Sequence, residues 1–351
     1  TAFGNKAIGG GHTSTATGNT ANKNVGIGHH AVGGGLGGST DLTATNNVGV
    51  GYDALQAIST GTHNIAIGSS AADSLTTANK TIFIGTGSGQ TVTTTGGSNV
   101  SDGTVGIGYN ALYALTSGAG CTSVGHEAGL TITTGGQNTT IGYQSMGGGD
   151  GYGNTAIGWK AGRSMTATEI YNVVIGAEAM ASMDEGANCH IDANIAIGHK
   201  ALLGADLGSV TGKSIIGNIV IGYEAMKSTS TNSFTGAIAI GYQTLTACTT
   251  GADNIAIGYK ALTQHTTGAR NIAIGYGSMD GTGQDDAPTS TDNVFIGFDA
   301  GGGAWDDGAD STDDSNFNVG IGNYVMDAAM DGAVRNTGVG FQALTSLTTG
   351  K

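Results

Sequence analysis

Asn271-Ile-Ala-Ile-Gly-Tyr276 decides the fold, because near-copies of it run through the whole chain. Asn254-Ile-Ala-Ile-Gly-Tyr259 lies 17 residues upstream, and Asn194-Ile-Ala-Ile-Gly-His199 and Asn64-Ile-Ala-Ile-Gly-Ser69 lie further back. Marked by its glycine, the unit recurs at 4, 28, 51, 68, 85, 108, 125, 142, 158, 176, 198, 222, 241, 258, 275, 297, 322 and 340, which is 18 units. The steps fall at 16 to 19 or 22 to 25 residues, so the extra residues are inserts at one edge of a constant unit. A fixed period of this kind reads as stacked coils, each too small to bury its apolar face alone.

Three residues before the marker glycine stands Val, Ile or Thr, and one residue before it stands Ile or Val in every unit but the first, which has Phe3. Two positions apart, they share one face of a strand, and branched side chains favour that conformation. Ala, Gly or Ser usually lies between them on the other face, with Phe83, Val174, Val220 and Phe295 as large exceptions. The expectation is that the Ile/Val pair points inward and that the narrow face lets another wall approach closely. The glycine ends the strand where φ is positive or the backbone crowded. An aromatic or His follows (Tyr52, Tyr109, Trp159, Tyr259, Tyr276, His29, His126, His199), then Ala and Leu or Met, expected to be a second short strand. Thr-Thr-Gly turns the chain back. Asn stands four residues before the glycine in 13 units, suited to an amide ladder between coils about 4.8 Å apart. Two short strands in about 17 residues suit an all-β, two-sheet solenoid of about 18 coils, one elongated body over 1–351.

The composition fits. Of 351 residues 66 are Gly, one is Pro and 11 % are charged, yet Ile and Val recur in register, which a disordered chain does not require. A net charge of −14 without basic clusters argues against nucleic acid and anionic membranes. No run of 18 apolar residues suggests membrane insertion. Cys121, Cys189 and Cys248 occupy different places in the unit, so no disulfide framework is implied. With Thr1 already inside a unit and Lys351 just after a Thr-Thr-Gly, the chain reads as a portion of a longer or processed one.

Asn-x-Ala-Ile-Gly-x-x-Ala resembles the YadA-like head repeat of trimeric autotransporter adhesins. The longer form, with Tyr-x-Ala-Leu and Thr-Thr-Gly, is similar to that of bacteriophage tail fibres and related surface fibres. The resemblance implies a left-handed parallel β-roll, a homotrimer whose chains meet through the Ala/Gly face, and attachment to a surface glycan or cell-surface receptor. It also implies an extracellular location, on a virion tail fibre or a cell surface. The longer unit departs from the adhesin head, as does the lack of a coiled-coil stalk.

No residue set suggests catalysis. Gly208-Ser-Val-Thr-Gly-Lys-Ser214 is one residue short of a phosphate loop and leads into the next unit, not a helix. His29, His126 and His199 share one slot in distant coils, and His29-His30 lacks helical metal-site spacing. No Gly-x-Ser-x-Gly elbow with partners emerges. Asp306, Asp307, Asp310, Asp313 and Asp314 form a Ca²⁺ candidate with Asp280, Asp285, Asp286 and Asp292 in the preceding insert, although a solvated acidic loop is the simpler reading. Trp305, if exposed beside them, would offer a sugar-stacking platform. The Tyr row reads as stacking between coils. Asn79, Asn99 and Asn138 begin glycosylation triplets. The sequence therefore points to a non-enzymatic fibre segment that displays inserts 33–46, 87–103, 203–217, 280–292 and 302–317 on a rigid frame. A filament subunit stacking end to end is the alternative, and ice binding fits poorly because the Thr pairs sit at turns.

Overall fold

Three-residue strands built on the Ile-Ala-Ile motif stack in parallel, like on like. A computed structural model describes residues 1–8, 21–33, 42–93, 101–165, 169–183, 190–204, 212–228, 233–282, 289–305 and 314–350. It is a parallel β-solenoid with no helix among the described residues, and so none long and apolar enough to cross a membrane. The chain divides into two compact units, Thr1–Ile170 and Tyr171–Lys351.

In the first unit the sheet comprises β1 (Ala2–Phe3), β2 (Val25–Ile27), β3 (Val48–Val50), β4 (Ile65–Ile67), β5 (Ile82–Ile84), β6 (Val105–Ile107), β7 (Thr122–Val124), β8 (Thr139–Ile141) and β9 (Thr155–Ile157). In the second it comprises β10 (Val173–Ile175), β12 (Ile195–Ile197), β14 (Ile219–Ile221), β16 (Ile238–Ile240), β17 (Ile255–Ile257), β18 (Ile272–Ile274), β19 (Val294–Ile296), β20 (Val319–Ile321) and β21 (Thr337–Val339). A small sheet of β11 (His190–Asp192), β13 (Ser214–Ile216) and β15 (Phe234–Thr235) runs beside the latter in sequence. Register is unshifted: Ile238, Ile255 and Ile272 pair in succession, as do Ala239, Ala256 and Ala273.

The faces of the strand are the reverse of the expectation. The middle residue is buried and the flanking Ile and Val are only half-buried, as in Ile255-Ala256-Ile257. The Ile/Val files therefore face outward, and the Ala/Gly file closes the inside of the coil. The reason is volume. Leu55, Leu112 and Leu262, four residues past the glycine, and Ile58, Leu75, Leu115 and Ile132, seven past it, are fully buried and already fill the coil. Only a small side chain fits opposite them. Where the middle residue is Phe, its partner is Gly: a Cβ on Gly89 or Gly301 would run into the ring of Phe83 or Phe295.

The leg after the glycine is a run of turns, not a second strand. Its second and fourth residues hold positive φ, as in Asp53 (56°) and Leu55 (53°) or Lys260 (57°) and Leu262 (51°). Alternate amides reach the two neighbouring coils, with Ser70 N–H to Tyr52 O of the preceding coil at 2.8 Å and Ala72 N–H to Ser88 O of the following one at 2.9 Å, while Ala71 N–H turns back to Gly68 O. Left-handed backbone costs a non-glycine residue about 1–2 kcal/mol, offset here by these bonds. The fourth position carries Leu, Met, Ala or Gly throughout, except Ile8 and Val32. Those two branched residues are not left-handed and form a bridge instead, as the stiffness of a branched Cβ requires.

The marker glycines form a column with φ between 124° and 147°. In nearly all of them a Cβ would strike the carbonyl of the next marker glycine, as Gly258 would strike Gly275. Beside this column runs the asparagine ladder, buried in both units. Asn64 donates its backbone N–H (2.9 Å) and its Nδ2 (3.0 Å) to Asn47 Oδ1, and Nδ2 also donates to Ala78 O at 2.8 Å. Each amide thus ties two coils together and pins the strand to its own closing turn. Thr81 keeps the upper half of this arrangement, donating Oγ1 to Asn64 Oδ1 at 2.8 Å, and Cys121 keeps the lower half, donating Sγ to Gly135 O at 3.3 Å.

Candidate functional site

Outward from the strands lie three parallel files: Ile, Val or Thr three residues before the glycine, Ile/Val one before it, and the aromatic slot just after it. Ile67, Ile141 and Ile321 are among the more exposed members of the second file. In the second unit Tyr223, Tyr242, Tyr259, Tyr276 and Phe298 stack face to face, with centroids 4.8 to 5.2 Å apart and planes within 8°. His199 continues the stack on Tyr223. In the first unit His126 stacks between Tyr109 and Tyr143. Because the rings cover one another's faces, only their edges meet solvent, and a sugar has no free ring face in the stack to lie on. Within each unit the files together make a mainly apolar surface.

Trp305 is not a platform. It is fully buried, packs edge-on against Phe295 at 5.6 Å and donates Nε1–H to Gly301 O at 3.0 Å. Gly301 leaves room for the Phe295 ring, and Trp305 covers that ring. The sequence signal lay in the pairing of a large middle residue with a glycine six residues later.

Of the carboxylates considered for Ca²⁺, Asp306, Asp307, Asp310 and Asp313 lie outside the described residues, as do Asp285 and Asp286. Asp314 accepts from Thr289 Oγ1 at 2.7 Å, and Asp292 is held bidentately by Arg270 at 2.6 and 2.7 Å. Asp280 instead keeps company with acids. Burial first, and then the carboxylates of Asp299 and Asp327, push it up to about 6, while burial also raises Asp299 and Asp327. A folded pKa above the unfolded value means the folded chain binds that proton more tightly. Stability from this residue is therefore present below about pH 4 and is lost as pH rises through about 6. Asp280→Asn is expected to stabilise the protein over wild type by about 1 kcal/mol at pH 7.5, solvent screening having cut a shift worth roughly 3 kcal/mol. The difference should vanish near pH 4. Paired denaturation curves at the two pH values check this, and the pairing cancels His265, a buried ring whose pKa burial lowers.

Cys121 and Cys248 are buried free thiols, raised by burial, Cys248 to about 11. They act as small apolar side chains. Cys189, Asn99 and residues 208–211 of the phosphate-loop-like run lie outside the described residues. Asn138 is buried in the ladder, donating Nδ2 to Gly151 O at 2.7 Å, so folding closes that glycosylation triplet. An open cleft of about 300 Å³ in the first unit is lined by Glu127, Leu130, Thr131, Gln144, Gly147, Gly148 and Arg163. Its carboxylate, Glu127, already accepts Gln144 Nε2 at 2.8 Å.

No family model, curated protein or solved structure matches this chain.

Proposed function

We propose that this chain is a structural and adhesive segment of an extracellular fibre, a homotrimer of left-handed coils on a phage tail fibre or a microbial surface. The observation that carries the proposal is the outward Ile/Val face. A row of mainly branched apolar side chains, left half-buried or exposed along the described coils, is a surface suited to being covered, and extended apolar patches of this kind mark interaction sites. The copies meet through Ile/Val files and not through the Ala/Gly file, which is inside the coil. The resemblance of the repeat to adhesin heads and phage fibres supports three chains rather than two. Inserts at the coil edges then form the variable surface that contacts glycan or receptor, because recognition on rigid frames is usually placed on loops.

Native mass measurement and sedimentation test the proposal, with an expected trimer of the 34.5 kDa chain. Placing Lys at both Ile255 and Ile272 is expected to yield a folded monomer, because these side chains lie outside the coil's own core. A wild-type monomer would defeat the trimer. Filaments of indefinite length would favour end-to-end stacking in its place.

A further inference from the structure

Two adjacent histidines and an aspartate of the next coil converge in the first unit. His29 and His30 follow marker Gly28, and Asp53 stands two residues past marker Gly51, so stacking sets it directly over His30. The backbone holds them there: Asp53 N–H donates to His29 O at 2.9 Å and His30 N–H to Asn5 O at 3.3 Å. Both His30 (φ 49°) and Asp53 (φ 56°) sit in the left-handed turns of their coils. The His29 ring lies flat against Tyr52, 5.2 Å between centroids and 8° between planes, which fixes its orientation.

Their donor atoms form a compact triangle. His30 Nδ1 is 3.2 Å and His29 Nδ1 is 3.8 Å from Asp53 Oδ1, and all three lie within 4.8 Å of one another. A tetrahedral ion with bonds of about 2.0 Å holds its ligands about 3.3 Å apart. A hydrogen bond between His30 and Asp53 accounts for part of this arrangement but not for His29. Its Nδ1 is sealed from solvent and has no hydrogen-bond partner. A buried polar atom left unsatisfied is costly and calls for an explanation. It is aimed at the same carboxylate oxygen as its neighbour.

We propose that His29 Nδ1, His30 Nδ1 and Asp53 Oδ1 bind one divalent transition-metal ion of the Zn²⁺ or Cu²⁺ type. Two imidazoles and one carboxylate suit these ions, whereas Ca²⁺ and Mg²⁺ demand oxygen. Water completes the coordination. The ion cross-links two successive coils and satisfies the orphaned nitrogen, so its role is that of a staple.

Titration of the metal-free full chain with Zn²⁺ by calorimetry at pH 7.5, and Cu²⁺ electron paramagnetic resonance, test the assignment. The expected results are one saturable site tighter than any other, and Cu²⁺ hyperfine coupling to two nitrogens. His29→Phe preserves stacking, since Phe298 occupies the same slot elsewhere, and removes one donor. Asp53→Asn tolerates the left-handed backbone. Each is expected to weaken the site at least tenfold, while His126→Phe leaves it unchanged. The absence of a saturable site would overturn the assignment, as would a site that survives both His29→Phe and Asp53→Asn.

Discussion

Gly275→Ala is expected to be among the most damaging single-methyl changes in the second unit, lowering stability by about 4 kcal/mol. Gly275 sits at φ 142°, a backbone region essentially closed to side chains, and the added Cβ would meet the carbonyl of Gly297. Neither wall can yield easily. Gly275 N–H donates to Ile257 O and Gly297 N–H to Ile274 O, each at 2.8 Å, so both strand ends are tied into the ladder. Strain of the backbone accounts for about 1–3 kcal/mol and forced separation of the coils for the rest. Gly277→Ala is the internal control. Gly277 has φ 62° and its Cβ would meet only carboxylate tips, Asp299 Oδ1 at 3.0 Å and Asp280 Oδ2 at 3.4 Å, so a loss of about 1 kcal/mol is expected there. Chemical denaturation gives the two values, and hydrogen exchange should show protection lost around β17 to β19 in the first variant. Equal, small losses would show that the glycine column does not set the coil spacing.

Asn271→Ala should cost about 3 kcal/mol, because it strands buried polar groups on both sides. Asn271 Oδ1 accepts the backbone N–H and Nδ2 of Asn293, each at 3.1 Å. Its Nδ2 donates to Ser290 O at 2.9 Å and to Asn254 Oδ1 at 3.2 Å. Truncation leaves the Asn293 backbone N–H without an acceptor and Ser290 O without this donor, in a site closed to water. Asn271→Thr is expected to lose about half as much, because Thr81 shows that a hydroxyl can serve one side of the slot. A ladder that merely fills space would give equal losses for Ala and Thr, and equilibrium denaturation distinguishes the two cases.

The His29–His30–Asp53 triangle was beyond reach from sequence separation alone. The interval from Gly28 to Gly51 includes an insert, and only counting from each marker glycine reveals that residues 30 and 53 occupy one slot. His29-His30 carried no metal signal by itself because its third partner comes from the neighbouring coil. Trp305 likewise looked exposed beside its acids, and the Phe295–Gly301 pair that buries it became meaningful only with the coil closed.

By itself the sequence determined the repeat, the all-β class, the in-register stacking, the crowded positive-φ glycine and the asparagine ladder. Each follows from the same residue type recurring at the same step, and identical units can stack in only a few ways. Which strand face is inside was decided by tertiary structure. Alternation of branched and small residues separates two faces but does not say which one the closing legs will fill. Leu, Met and Ile from those legs occupy the interior, so Ala goes in and Ile goes out. The left-handed leg was also a tertiary decision, its trace in the sequence being unbranched Leu and Met where a strand would have carried Ile and Val. A positive φ excludes a branched Cβ, and the hydrogen bonds that offset its cost exist only once the next coil is in place.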